Sequence, residues 1–364
     1  RAGLKSGLIG TIHYRVGDRV FEGPRTTPEA PDLQASLQEM LEAGASHAVV
    51  EVSSHALSLK RVLGCNFRAA VFTNLTQDHL DFHGDLNSYF LSKRSLFTEN
   101  PRVSSILNLD DEYGRWIASD AVGQIWGYGS GEDAIVRAEN ILFSAQGARF
   151  TLCHPQGRIE IETTLLGQHN VGNILASAAT CLALGLSAEE VAAGVLSLES
   201  IPGRFERINE GQPFLVVVDY AHTQDALARV LELARPITQG RLITVMGCGG
   251  DRDKKKRPRM GAAAVRASDL VFLTSDNPRT EDPAEILRDV EEGTNRVPGG
   301  EERSRTIVDR REAIRTAVEE AKEDDTVLIA GKGHETYQII GIDRIPFDDR
   351  DEAREAIRNL GFGR

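Results

Sequence analysis

Apolar and polar positions along the chain form two blocks of alternating strand and helix pattern, with a stretch of different period between them. In residues 28–43, Leu33, Leu37, Met40 and Leu41 recur at helical spacing behind Pro28, a helix-entry residue. Residues 47–52 read as a buried strand, followed by a short helical stretch to Leu63 and a second strand over 67–75. A helix over 85–99, a strand over 103–108 and a helix over 111–119 complete the first block. Such alternation predicts a mostly parallel sheet with helices on both faces. Residues 134–166 instead alternate apolar and polar around Gln156-Gly157, which predicts an antiparallel hairpin or small sheet. Two helices follow, over 169–184, with Gly185 placed to end it, and over 187–198. Ile201-Pro202-Gly203 then reads as a hinge. From Phe214 the α/β pattern restarts. Strands are predicted at 214–219, 241–247, 270–275 and 326–331, with helices at 223–235, 256–267, 283–292, 309–322 and 349–360. The expected division is residues 1–203 and 204–364.

Ligands of doubly wound sheets bind beyond the carboxyl ends of the strands, so the residues directly after each strand carry the most information. They are EVSSH (51–55), TNLTQDHLD (73–81), DYAHT (219–223), CGGDRDK (248–254), DNPR (276–279) and KGHE (332–335). One charged loop is ordinarily a solvated loop or a helix cap. Six in register along two sheets are hard to account for that way. Glu51 and His79 suit a divalent cation, a carboxylate oxygen and an imidazole both being ligands; a buried ion pair and a cap are the alternatives. Residues 251–259, DRDKKKRPR, concentrate cations after a Gly-Gly turn. They suit a small anionic ligand, or else form a solvated face or a nucleic-acid patch. Asp276, Arg279 and Glu335 together would take a zwitterion, acids for the ammonium and Arg for the carboxylate.

Composition narrows the class. The 364 residues are 41% hydrophobic and 26% charged, as in ordinary globular proteins, and the formal charge is −12. An acidic chain is a poor general nucleic-acid binder. Cys65, Cys153, Cys181 and Cys248 form no C-x-x-C pair, which argues against a zinc ribbon or disulfide framework and fits a reducing compartment. No apolar run approaches the ~20 residues of a membrane span.

The strand-end motifs, together with GQHNVGN (167–173), PGRFE (202–206) and GKGHE (331–335), occur in this order in the Mur ligases. The chain resembles that family over essentially its whole length, and most closely the branch that adds the third amino acid. The resemblance implies a central ATP-binding domain, with a mostly parallel sheet and a small antiparallel one, followed by a Rossmann-like amino-acid-binding domain. It implies a cytoplasmic, monomeric ATP-dependent ligase of peptidoglycan synthesis, serving cell-wall biogenesis, cell shape and division. Such a ligase phosphorylates the D-glutamate side-chain carboxylate of UDP-N-acetylmuramoyl-L-alanyl-D-glutamate. The amine of meso-diaminopimelate then displaces the phosphate. Its partners are these small molecules, with no nucleic acid and no membrane.

By the same resemblance, Glu51, His79 and Lys93 hold magnesium, Lys93 as a carbamate. Without it, Lys93 reads as an exposed helix lysine. Lys93, His79 and His222 are the implied catalytic groups. Asn170 and Asn173 are implied adenine contacts, and Arg204 and His222 nucleotide contacts. Thr26, Thr27, Ser54 and Arg61 are implied to meet the UDP-sugar dipeptide, and Arg252, Asp276, Asn277, Arg279, Gly331 and Glu335 the amino acid. The family's phosphate loop, a Gly-rich run ending Gly-Lys-Thr or Gly-Lys-Ser, is absent, and the chain opens on Arg1 within what reads as a folded segment. The expectation is a piece lacking that loop and a uridine-binding domain, and inactive by itself. Residues 56–60, Ala-Leu-Ser-Leu-Lys, are more apolar than in some relatives. Three alternatives stay open. They are the L-lysine-adding ligase, a more distant folylpolyglutamate synthase, which the DNPR and GHE motifs disfavour, and a non-catalytic nucleotide-binding module.

Overall fold

The computed structural model describes residues 2–76, 80–144 and 146–363. The chain divides into two compact units, Arg1–Leu142 with Gly147–Leu198, and Phe143–Gln146 with Glu199–Arg364.

The first unit holds two sheets. One has the order Arg19–Phe21, Tyr14–Val16, Ser6–Ile9, His47–Val50, with Ser6–Ile9 parallel to His47–Val50 and the other pairs antiparallel. Its three N-terminal strands lie outside the sequence reading, because runs of three or four residues give no measurable period. Helix Ala30–Glu42 packs Leu33 and Met40 against Ile9, Tyr14 and Val16. The second sheet has the order Gly157–Thr163, Gly147–His154, Val136–Ser144, Gln124–Gly129, Ser104–Asn108, Ala69–Phe72. Its strands are parallel from Ala69–Phe72 through Val136–Ser144. The antiparallel pair around Gln156 is present, in the register Gly157↔His154 to Thr163↔Ala148. It continues the parallel sheet edge to edge.

One expectation is corrected. Residues 47–52 read as a buried strand, yet Val49 is 58% exposed, and the neighbouring candidate strand carries Val71 at 40%. His47–Val50 and Ala69–Phe72 are each the outermost member of a different sheet, and Val49 and Val71 lack cover among the described residues, whereas Ala70 and Phe72 are buried.

The second unit is a single six-stranded sheet in the order Glu206–Ile208, Leu215–Asp219, Thr326–Ala330, Leu242–Cys248, Leu270–Ser275, Ser304–Thr306. All neighbours are parallel except the first pair. The chain passes outward through Leu242, Leu270 and Ser304, then returns to lay Thr326–Ala330 between Leu215–Asp219 and Leu242–Cys248. That reversal is the topological switch point of a doubly wound sheet. The four long strands are buried on both faces, which is why they read as unbroken apolar runs. Val216, Val218, Ile243, Val245, Phe272, Val327 and Ile329 pack with Ile314 and Ala317 of helix Arg310–Glu320 and Ile357 of helix Asp349–Asn359.

Below the strand ends lies a buried ion pair. Arg310 and Asp349 have fully buried side chains, 2.7 Å apart. Arg310 also donates to the carbonyls of Ser275 at 3.3 Å and Ala330 at 3.0 Å, the last residues of the two strands that flank Leu242–Cys248. Removing one member of such a pair leaves the other charge uncompensated. Arg310→Met is expected to destabilise the second unit by about 3–5 kcal/mol. A urea unfolding midpoint unchanged from wild type would contradict this.

Candidate active site

The carboxyl ends of Leu270–Ser275 and Thr326–Ala330 bring Asp276, Asn277, Gly331 and Glu335 together. Asn277 Nδ2 donates to Glu335 Oε2 at 2.9 Å. Lys332, fully buried, donates from Nζ to Asn277 Oδ1 at 3.1 Å and to Glu335 Oε2 at 3.0 Å. The backbone N–H of Ile339 also donates to Asn277 Oδ1, at 2.9 Å. Gly331 has φ +123°, and a Cβ there would lie 2.7 Å from Asp276 Oδ2, so the close approach of strand end and carboxylate requires glycine.

Arg279 sits in the left-handed region at φ 51°. Two backbone bonds hold it there. Its N–H donates to Ile339 O at 3.1 Å, and its carbonyl accepts from Gly341 N at 2.7 Å. Both partners belong to the hairpin Tyr337–Ile340, Asp343–Pro346, which the sequence reading did not contain. The Arg279 guanidinium donates one bond, from Nη1 to Gly250 O at 2.7 Å. Arg252 is exposed and donates to Asp251 O.

The basic run 251–259 differs from expectation. Arg257 is buried and bridges Glu281 and Asp289, each at 2.8 Å, and Lys254 pairs with Glu281 at 3.0 Å. Lys256 donates to the carbonyl of His222 at 2.9 Å. Three of the cations therefore brace the loop internally and do not form an open anion patch. Hydrogen bonds from Arg257 and Lys254 pull the Glu281 carboxyl from its ordinary 4.5 down to about 2. In the adjacent strand, burial pushes the Cys248 thiol up to about 12.

Nearby, Gly203 approaches the GKGHE loop so closely that a Cβ would lie 2.1 Å from His334 N. The next residues carry Arg204, its guanidinium 4.9 Å from the Tyr220 ring centre, and Phe205, at φ 49° with its N–H on Asp219 Oδ2 at 2.8 Å. Asp219 also caps Ala221 N, and burial pushes its carboxyl up, so it is occupied within the fold. His222 Nδ1 lies 2.9 Å from Tyr220 O. A carbonyl can only accept, so Nδ1 carries a proton and donates it to Tyr220 O.

In the first unit, a cleft of about 390 Å³ is lined by Thr73, Asn74, Asn108, His169 and Asn173 among others. Asn173 is exposed there. Asn170 is buried, holds Leu166 O at 2.8 Å, and accepts from Asn173 Nδ2 at 3.2 Å. Asn170 thus orients Asn173. Asn108, which donates to Thr73 O at 2.7 Å, was missed; it is the last residue of strand Ser104–Asn108.

Glu51 Oε2 accepts from the N–H and the hydroxyl of Thr11, each at 2.9 Å, and Thr11 reaches Thr26. Thr27 is buried, donates to Glu51 O and accepts from Ser53 N. Arg61 is also buried, pairs with Glu29 at 2.8 Å and donates to Thr27 O. Ser54 Oγ lies 2.9 Å from His83 Nε2. Thr27, Ser54 and Arg61 therefore shape the loop around Glu51 from within. Lys93, on helix Leu86–Thr98, is half-buried with Nζ 5.1 Å from the Tyr89 ring centre, which corrects the exposed-lysine alternative. His79 lies outside the described residues. Among the described residues no group of three His, Cys, Asp or Glu side chains could hold a metal, and no helix is long and apolar enough to cross a membrane.

A switch-point sheet with an acid–amide–cation cluster, joined to a unit with an Asn-lined cleft, is the plan of an ATP-using amide ligase, and the comparisons carry it further. The Mur ligase middle domain matches residues 2–181, and the Mur ligase glutamate ligase domain matches residues 203–333. The chain belongs to the Mur ligase family. It is 50% identical over 366 residues to the UDP-N-acetylmuramoyl-L-alanyl-D-glutamate–2,6-diaminopimelate ligase of Solibacter usitatus, covering 99% of this chain and 73% of that protein. The enzyme of the same name from Geobacillus kaustophilus is 48% identical, with 99% and 75% covered. A solved structure of a ligase of this name superposes with a TM-score of 0.73 at 38% identity, covering 98% of this chain and 73% of that one. Mycobacterium tuberculosis folylpolyglutamate synthase complexed with ADP, at 21% identity and a TM-score of 0.64 over 92% of this chain and 72% of that one, shares the fold.

Two outcomes follow from the geometry. A carboxyl whose folded value is depressed stabilises above its ordinary value and loses that contribution as pH falls through the depressed one. The Glu281 brace therefore stabilises fully above about pH 4.5 and fades toward about pH 2. Glu281→Gln should flatten the pH dependence of the urea midpoint across that window; an unchanged slope would count against the brace. Cys248, buried and protonated, should resist iodoacetamide at pH 8 until the protein is unfolded.

Proposed function

We infer that this chain provides the ATP-binding and amino-acid-binding parts of a ligase that joins meso-diaminopimelate to the D-glutamate of UDP-N-acetylmuramoyl-L-alanyl-D-glutamate. The observation that carries the reading is the cluster of Asp276, Asn277 and Glu335 beyond two strand ends of one sheet, with Arg279 on the loop that follows one of them, in a chain about half identical to ligases of that name.

A carboxylate is a poor electrophile. Transfer of the γ-phosphoryl group of ATP to the D-glutamate side chain gives an acyl phosphate and ADP. The amine of diaminopimelate then attacks the acyl carbon, phosphate leaves, and the nitrogen loses a proton. The protein's part is positioning and charge neutralisation. Asp276 and Glu335 take an ammonium, while Arg279, with all but one of its guanidinium donors unused by the described residues, pairs a carboxylate. Asn173, oriented by Asn170, takes the adenine in the Asn-lined cleft, whose mixed polar and apolar walls suit a purine. Arg204 and His222 contact the nucleotide, Arg204 as a cation beside its phosphates. Thr26, Thr27, Ser54 and Arg61 form the wall toward the UDP-sugar dipeptide.

Glu51 retains one carboxylate oxygen beyond the Thr11 bonds and fits a hard cation. With His79 and a carbamate on Lys93 it would hold magnesium, which supplies positive charge against the phosphate oxygens. The reading places the reaction in the cytoplasm, where ATP is supplied, and requires no second copy of the chain.

The test is phosphate release by the gene product that contains this chain, with ATP, the UDP-sugar dipeptide and either amine. A site built to pair a carboxylate rejects an analogue lacking it by about 10⁴-fold, so meso-diaminopimelate should turn over and L-lysine hardly. Arg279→Ala should raise the KM for diaminopimelate sharply and leave that for ATP near normal. Equal use of the two amines would overturn the assignment. Lys93→Ala should abolish turnover while the unfolding midpoint stays near wild type, since Ala suits a helix interior; full activity would remove Lys93 from the metal site.

A further inference from the structure

The diaminopimelate reading leaves one buried charge at the pocket without a role. Lys332 is fully buried, and lysine is almost never so unless paired. It lies between Gly331, at φ +123°, and Gly333, at φ +54°, whose backbone turns the side chain inward from a strand end where solvent would be the ordinary destination. Its Nζ bonds two side chains, Asn277 Oδ1 and Glu335 Oε2, and lies 5.6 Å from the Tyr337 ring centre. Those two side chains are themselves bonded, Asn277 Nδ2 to Glu335 Oε2. The three groups close a triangle in which every edge is a hydrogen bond.

The triangle fixes both partners. Glu335 Oε2 accepts twice, from Lys332 and from Asn277, so rotation of the carboxylate would break two bonds. Among the described residues no hydrogen bond reaches Oε1, which leaves that oxygen for a ligand. Asn277 Oδ1 accepts from Lys332 and from Ile339 N, which settles which amide atom faces which way. A neutral side chain of the same length would fill the space but would leave Oε2 with a single donor and Glu335 without its ion-pair partner.

We propose that Lys332 is a positioning residue for the amino-acid substrate: from beneath the pocket it locks Glu335 and Asn277 in the orientation that receives the incoming amine's ammonium group. Lys332 touches no substrate itself. The proposal rests on the diaminopimelate reading only for the identity of that amine.

The test uses the gene product that contains this chain, assayed by phosphate release with whichever amine the wild type accepts. Two variants are made, Lys332→Met, which removes charge and donors, and Lys332→Gln, which keeps an amide donor. The expected result for Lys332→Met is a KM for the amine raised about ten- to hundredfold, the range of a hydrogen bond to a charged group. Its KM values for ATP and the UDP-sugar dipeptide should stay within about twofold, within ordinary non-additivity. Lys332→Gln should lie between Met and wild type. Adding Lys332→Met to Glu335→Gln should raise the KM for the amine little further, because coupled residues are not additive. A KM for the amine that does not move, equal increases for all three substrates, or full additivity with Glu335→Gln would each overturn the proposal. Failure of both single variants to fold would assign the lysine to stability alone and also overturn it. A wild type that uses lysine and diaminopimelate equally would sink the substrate assignment while leaving the KM ratio between variant and wild type to decide the role of Lys332.

Discussion

A parallel sheet ends in carbonyls that point at the space where its ligands must sit, and in this protein Arg310 governs two of those ends. Its guanidinium holds Ser275 O and Ala330 O from below while Asp349 neutralises it. The carbonyls belong to the last residues before Asp276-Asn277 and Gly331-Lys332. One buried cation therefore ties together the two segments that build the proposed amino-acid pocket. Everything above depends on that tie. The triangle of Asn277, Lys332 and Glu335 closes only if the strand ends stand at the right separation, and Gly331 can approach Asp276 only because it has no side chain.

Two sets of cations in the second unit differ in how they are held. Arg257, Arg310 and Lys332 are buried and each is paired with a carboxylate. Breaking such pairs is costly, so these side chains act as fixed parts of the frame. Arg204, Arg252 and Arg279 are different. Among the described residues each contacts a neutral group, namely the Tyr220 ring, the Asp251 carbonyl and the Gly250 carbonyl. Among the described residues none of the three forms a salt bridge. In a chain of net charge −12 that has to gather anionic substrates, a cation held in place by neutral acceptors is the device that leaves positive charge for the ligand.

The sequence made this second unit legible because strands buried on both faces appear as unbroken apolar runs, and because charged residues at their ends are conspicuous against them. Asp276, Asn277, Arg279 and Glu335 were visible for that reason. The bracing was not. Arg257 sits in a run that reads as a basic patch, and its partners Glu281 and Asp289 come from another element, so pairing was invisible without the fold. Lys332 between two glycines reads as a loop lysine; only the left-handed backbone at Gly333 turns it inward. The hairpin at 337–346 that holds Arg279 has two strands of four residues, too short for a period to register.

The first unit was less legible, and the reason is physical as well. Strand His47–Val50 has an apolar sequence but an exposed place, so burial could not be inferred from hydrophobicity alone. In GQHNVGN, the two asparagines stand three apart at the start of a helix, on neighbouring positions of its surface. The resemblance implies one role for both. The fold separates them: Asn170 is buried and tied to Leu166 O, and Asn173 is exposed and tied to Asn170. The same division recurs around Glu51, where Thr27 and Arg61 are internal and the carboxylate faces out. In both units, then, an outward group that can meet a ligand is held by an inward group that meets only protein. A motif match names both kinds of residue alike, and only burial and hydrogen bonding tell which of the two a given side chain is.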